Sequence, residues 1–189
     1  GGHRLWGRAA EPRAVVQRYI LDPVLYQLEG VRPPVRVKTD IRVYGAAVSM
    51  DPLRVYLSRH GYFRTGYLER NYSTATGEDL RDQLMHITHH IPKIEQGSYQ
   101  CPAAPSWGDP GGPEHGAGSG GSLRKWFRIV REQNGLDPRR VWENVREALG
   151  LFLLGARGAL SCRANPVPHA CGSVGFQFFA DLVVDSRGR

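Results

Sequence analysis

Three charged residues occupy alternate positions of one largely apolar stretch: Lys38, Asp40 and Arg42. In an extended chain, residues i, i+2 and i+4 project from the same face about 7 Å apart, which gives a row of cation, carboxylate, cation. Such a row suits a phosphate group with its divalent metal, and it equally describes the solvated face of a half-exposed strand. Asp181 lies inside the apolar run from Val174 to Val184, where an unpaired carboxylate carries a large desolvation penalty. Its expected partner is either an arginine of the core or a Mg2+ ion.

The other constellations are weaker. His86, His89 and His90 form a His-x-x-His-His cluster, but no acidic residue stands between them where a zinc protease needs one. Cys162, His169 and Cys171 match no zinc-module spacing. Three cysteines, with Cys101 the third, cannot all pair within one chain, which favours ordinary thiols in a reducing compartment. The run Gly116 to Ser122 resembles a phosphate loop in composition only, because it has no preceding strand and no Gly-Lys-Ser/Thr ending. No nucleophile elbow supports a serine-hydrolase reading.

These residues need elements to position them. Arg13 to Ile20 is short, apolar and β-branched before the turn pair Asp22-Pro23, and reads as a strand. Val35 to Tyr44 alternates strictly, with Val35, Val37, Thr39, Ile41 and Val43 on one face and the charged row on the other. Asp51-Pro52 turns the chain into Leu53, Val55 and Leu57, and His60-Gly61 offers a further turn before Tyr62 to Tyr67, so a three-strand meander is expected. Residues 101–122, rich in Gly, Pro, Ala and Ser, read as a flexible insertion. Ser122 caps a helix with Leu123, Trp126, Phe127 and Val130 on one face, ended by Asn134-Gly135. Asp137-Pro138 starts a second, with a stripe of Val141, Trp142, Val145, Ala148, Leu149, Phe152 and Leu153. A last strand runs from Val174 to Val184, with turn chemistry at Asp185 to Gly188 and a partner strand expected beyond Arg189.

At 189 residues, 41% hydrophobic and 23% charged, the chain has the composition of one globular domain. No apolar run nears the ~18 residues of a membrane span. The opening Gly1 to Trp6 has neither an initiator methionine nor a signal-peptide layout, which reads as the interior of a larger protein. A formal charge of +7 favours a polyanionic partner. Nucleic acid is disfavoured, since there is no helix-turn-helix, zinc-finger or RNA-recognition signature.

Taken in order, Val15 to Ile20 (VVQRYI), Lys38 to Tyr44 (KTDIRVY), Asp51 to Tyr56 (DPLRVY) and Met85 to Thr88 (MHIT) resemble the motifs of the tubulin tyrosine ligase-like family. Phe178 to Asp185 (FFADLVVD) is similar to the strand before its last catalytic motif. The resemblance implies an α+β, ATP-grasp-like fold, here partial: a mixed or antiparallel sheet with packed helices, truncated at both ends, over residues 1–189. It also implies an ATP- and Mg2+-dependent carboxylate-amine ligase working through an acyl phosphate. The Asp-Pro-Leu-Arg block is closest to members that add glutamate to glutamate side chains of tubulin C-terminal tails, with glycylation or a non-catalytic tubulin-binding relative as alternatives. By the same resemblance, Gln17, Arg18, Tyr19 and Ile20 line the adenine pocket. Lys38, Asp40, His86 and Thr88 belong to the nucleotide site, Arg42 and Arg64 meet phosphate or the acyl phosphate, and Asp181 binds Mg2+. Implied partners are free glutamate and tubulin tails or microtubules, in the cytoplasm and cytoskeleton. Two departures stand out: His89 replaces the family's usual asparagine, and the terminal metal-binding Glu and Asn are not found.

Overall fold

A computed structural model describes residues 18–28, 32–50, 52–66, 71–74, 78–86, 88, 119–160 and 176–189. Its centre is a long hairpin. Strand β2 (Arg36–Met50) follows the short β1 (Leu25–Gln27) and returns as β3 (Leu53–Thr65), with Met50 paired to Leu53 at the tight end. The alternation in β2 has the expected consequence: Val37, Thr39, Ile41 and Val43 are all at most 1% exposed on the core face. Two strands share the other edge of β2, β1 along Arg36–Lys38 and β5 (Phe176–Leu182) along Ile41–Ala47. β4 (Ser119–Ser122) adds to β3, and every pairing is antiparallel.

Helices α2 (Leu123–Asn134) and α3 (Pro138–Leu160) cover one face of the sheet, while the single-turn α1 (Gln83–His86) follows two 3-10 turns at Tyr72–Thr74 and Glu78–Arg81. The local chemistry of α2 is the expected one. The Ser122 hydroxyl accepts from the Lys125 amide, and Gly135 ends the helix in the left-handed region at φ 66°. Trp126, Ile129, Val130, Val141, Val145 and Leu149 meet Ile41, Val43 and Phe63 in one core. The end of α2 also finishes the sheet. Asn134 bonds both backbone groups of Leu25 and Gln133 accepts from the Gln27 amide, which occupies an otherwise open strand edge.

Several expectations need correction. Arg18 to Ile20 are not in a strand, and the first strand is Leu25–Gln27. Residues 13–17 lie outside the described residues. His60-Gly61 does not turn the chain. Between the pairs Val43↔Gly61 and Gly45↔Leu57, three residues of β3 stand opposite one of β2, so the site is a bulge. A Cβ on Gly61 would lie 2.4 Å from the Arg42 carbonyl oxygen, so this glycine permits close strand approach. The end of the glycine-rich stretch is strand β4, whereas residues 101–118 lie outside the described residues. In α3, Ala148 and Phe152 face solvent, Phe152 being 68% exposed, and the buried stripe is Val141, Val145, Leu149 and Leu153. One edge of β5 pairs with β2.

Candidate active site

The face of the sheet opposite the helices collects the charged row. Register decides which residues meet there. Asp40 stands opposite Arg64, and Arg42 stands between Tyr62 on β3 and Asp181 on β5. Asp40 accepts from Arg64 Nε at 2.7 Å and from the Thr88 hydroxyl. Arg64 continues to Asp181 Oδ2 through Nη2 at 3.1 Å. Asp181 then takes Arg42 through two parallel bonds, Nε to Oδ1 and Nη2 to Oδ2, each 2.7 Å. The result is a continuous chain from Thr88 through Asp40, Arg64 and Asp181 to Arg42. The Arg42 guanidinium also lies 4.3 Å from the Phe179 ring centroid and 5.7 Å from that of Tyr62.

Lys38 sits beside this network without joining it. It is 6% exposed, and its ammonium donates to Tyr19 Oη at 3.0 Å and to the His86 carbonyl at 3.3 Å. Among the described residues, no carboxylate lies within ion-pair distance of it. Burial lowers its pKa, partly opposed by Tyr72 and Asp40. Asp181 behaves oppositely: the hydrogen-bonded Arg42 holds it below the ordinary carboxylate range against the effect of burial, and Arg64 adds to the shift. The Arg42 pKa is raised in turn, chiefly by Asp181. Burial works against the Arg64 charge, but Asp40 and Asp181 outweigh it.

Asp40, Arg42, Arg64, Thr88 and Asp181 come together in one network, and Lys38 lies beside it, bonded to Tyr19 and the His86 carbonyl. Arg18 is exposed and Ile20 half-buried, with no hydrogen bond or ion pair to the cluster among the described residues. Gln17, His89, His90 and all three cysteines lie outside the described residues. The solvated-face reading of the charged row fails, since Asp40 is only 7% exposed. For Asp181 the arginine partner is present, twice over. Sequence reasoning missed Tyr62 and Phe179. Phe179 was legible, lying two residues before Asp181 on one strand and therefore on the same face.

The described residues include no set of three or more metal-ligating side chains. Mg2+, however, commonly takes one or two carboxylates and completes its shell with phosphate and water. Asp181, with its side chain 39% exposed, is the more accessible carboxylate, and Arg42 and Arg64 occupy its oxygens. Asp40, at 9% side-chain exposure, is occupied by Arg64 and Thr88.

A family model described as the tubulin-tyrosine ligase family matches residues 4–102. The chain belongs to the tubulin-tyrosine ligase family. It is similar to tubulin polyglutamylase TTLL11 of Homo sapiens, 28% identical over 144 residues, which cover 75% of this chain and 17% of that protein. It is also similar to a probable beta-tubulin polyglutamylase of Tetrahymena thermophila, 25% identical over 180 residues, 92% of this chain and 13% of that protein. A third relative is tubulin polyglutamylase TTLL5 of Homo sapiens, 25% identical over 177 residues, 93% and 12% respectively. The chain therefore spans less than a fifth of the length of these family members. The matched region carries Lys38, Asp40, Arg42, Arg64, His86 and Thr88, whereas Asp181 lies beyond it. No helix of the described residues is long and apolar enough to cross a membrane.

Proposed function

We propose that this chain is part of an ATP-grasp ligase that adds glutamate to glutamate side chains of tubulin tails. The observation that carries the reading is the charge balance on the sheet face opposite the helices. Among the described residues it holds Lys38, Arg42 and Arg64 against Asp40 and Asp181, and the buried Lys38 has no carboxylate partner there. A cation in excess, fixed beside a shared arginine–carboxylate network, is complementary to a polyphosphate. Phosphoryl transfer asks for positioned charge rather than a covalent nucleophile. When bound, Mg2+-ATP would supply the phosphoryl group that activates a carboxylate. The chain's own residues do the positioning: Lys38 meets phosphate charge, Asp181 takes the metal, and Arg42 and Arg64 orient the anionic groups. The choice of glutamate and of tubulin follows the three named relatives.

The test is incorporation of radiolabelled glutamate into microtubules by the full-length protein with Mg2+-ATP, with glycine and tyrosine in parallel. Glutamate labelling that disappears in Lys38→Ala is the expected outcome. Labelling with glycine alone would reassign the substrate, and no labelling by the folded protein would favour a non-catalytic tubulin-binding role.

A further inference from the structure

We infer that His86 is a positioning residue for the Lys38 ammonium and acts on it through Tyr19. This rests on the reading of Lys38 as a phosphate-binding cation. His86 Nε2 lies 2.8 Å from the Asp79 carbonyl oxygen, which can only accept, so Nε2 carries a proton. In the neutral ring Nδ1 is then an acceptor, and the group 2.6 Å away is the Tyr19 hydroxyl, which donates to it. That leaves a Tyr19 lone pair for Lys38, whose ammonium only donates, at 3.0 Å. Each proton in the series Lys38, Tyr19, His86, Asp79 thus has one consistent direction. The same residue touches Lys38 a second time, through the His86 carbonyl at 3.3 Å.

The ring itself is held still. Tyr19 and Tyr72 both pack edge-on to His86, with centroids at 5.4 and 5.6 Å. The Lys38 ammonium lies 4.7 Å from the Tyr19 ring centroid, so the tyrosine guides it by face and by hydroxyl. With both ring nitrogens engaged by protein groups, His86 has none left for a nucleotide, and its effect reaches the anion through Lys38. A four-carbon stem is otherwise free among many rotamers, and fixing it beforehand is what such a relay contributes to binding.

Histidine substitutions separate the two ring positions, because an asparagine amide falls near Nδ1 and a glutamine amide near Nε2. The experiment is calorimetric titration of Mg2+-ATP into the full-length protein and its variants, with thermal melting as the check on folding. Tyr19→Phe is expected to weaken binding about tenfold, the loss of the charge-linked hydrogen bond from Lys38, and His86→Phe to weaken it by a similar factor by releasing the Tyr19 hydroxyl that makes that bond. The double variant should be no weaker than either single one, because both break the same series. His86→Asn, which can still accept from Tyr19, should bind within about threefold of the parent, and His86→Gln should behave like His86→Phe. Multiplying losses in the double variant, or equal behaviour of Asn and Gln, would overturn the proposal. Unchanged binding in Lys38→Ala would instead remove the phosphate-binding reading beneath it, and the relay with it.

Discussion

Arg42 and Arg64 both hold Asp181, yet they stand in different surroundings and should fail differently. The Arg64–Asp40 pair is enclosed, with side chains 11% and 9% exposed, whereas Asp181 at the outer end is 39% exposed. Removing one partner of a buried pair leaves an uncompensated charge, while an exposed pair contributes little to stability. Arg64→Met, which keeps the apolar stem, should therefore destabilise the domain by about 3 kcal/mol through the stranded Asp40 carboxylate. Arg42→Ala should cost less than about 1 kcal/mol, since Asp181 retains Arg64, and should still abolish ligation. Melting curves of the two variants in the full-length protein, set beside glutamate incorporation, provide the comparison. Equal melting losses would mean that the network is no more buried at Asp40 than at Asp181.

Among the elements, β2 and the two long helices were legible because their signals are local. Strict alternation fixed which β2 residues face the core, and Ser122, Gly135 and Asp137-Pro138 marked helix ends by side-chain chemistry alone. The misreadings share a cause in pairing across the sheet. Gly61 has the turn chemistry of a hairpin, but its use is a close approach to β2, which only the register shows. Likewise Lys38, Asp40 and Arg42 could be placed on one face from period two, while the pairings Asp40↔Arg64 and Arg42↔Asp181 depend on register between strands distant in the chain. The contact of Tyr19 with His86 joins residues 67 positions apart with no periodic pattern to announce it. Gly61→Ala tests the strand-level account. Its methyl would meet the Arg42 carbonyl oxygen, an atom of the backbone, so β2 and β3 must separate at the point where Arg42 and Tyr62 face each other. The expected loss is about 1–3 kcal/mol. Glutamate incorporation should fall with it, and wild-type melting in Gly61→Ala would show that β3 can shift at that bulge without strain.

Among the described residues, the exposed arginines of the helices lie on the side of the sheet opposite the Lys38 to Asp181 cluster. Among the described residues the site holds three cations against two carboxylates, a small part of the chain's formal charge of +7. Much of it lines the outer surface of the helices. Arg124, Arg128 and Arg131 fall at i, i+4 and i+7 of α2 and are all exposed, and Arg139, Arg140 and Arg146 continue on α3. Charges so placed lie across the sheet from Lys38 and Asp181. Their physical effect is a long-range field that raises the encounter rate with an acidic chain and weakens once salt shortens the Debye length to about 8 Å. If the partner is a glutamate-rich tail, kcat/KM for microtubules should drop several-fold between roughly 50 and 200 mM salt. Mg2+-ATP binding should respond less, since Lys38 is 6% exposed and screened weakly. Replacing Arg124, Arg128 and Arg131 together with glutamine should flatten the salt dependence for microtubules and leave the nucleotide dissociation constant unchanged. A triple variant with the parent's salt slope would mean that the helical arginines do not steer the partner.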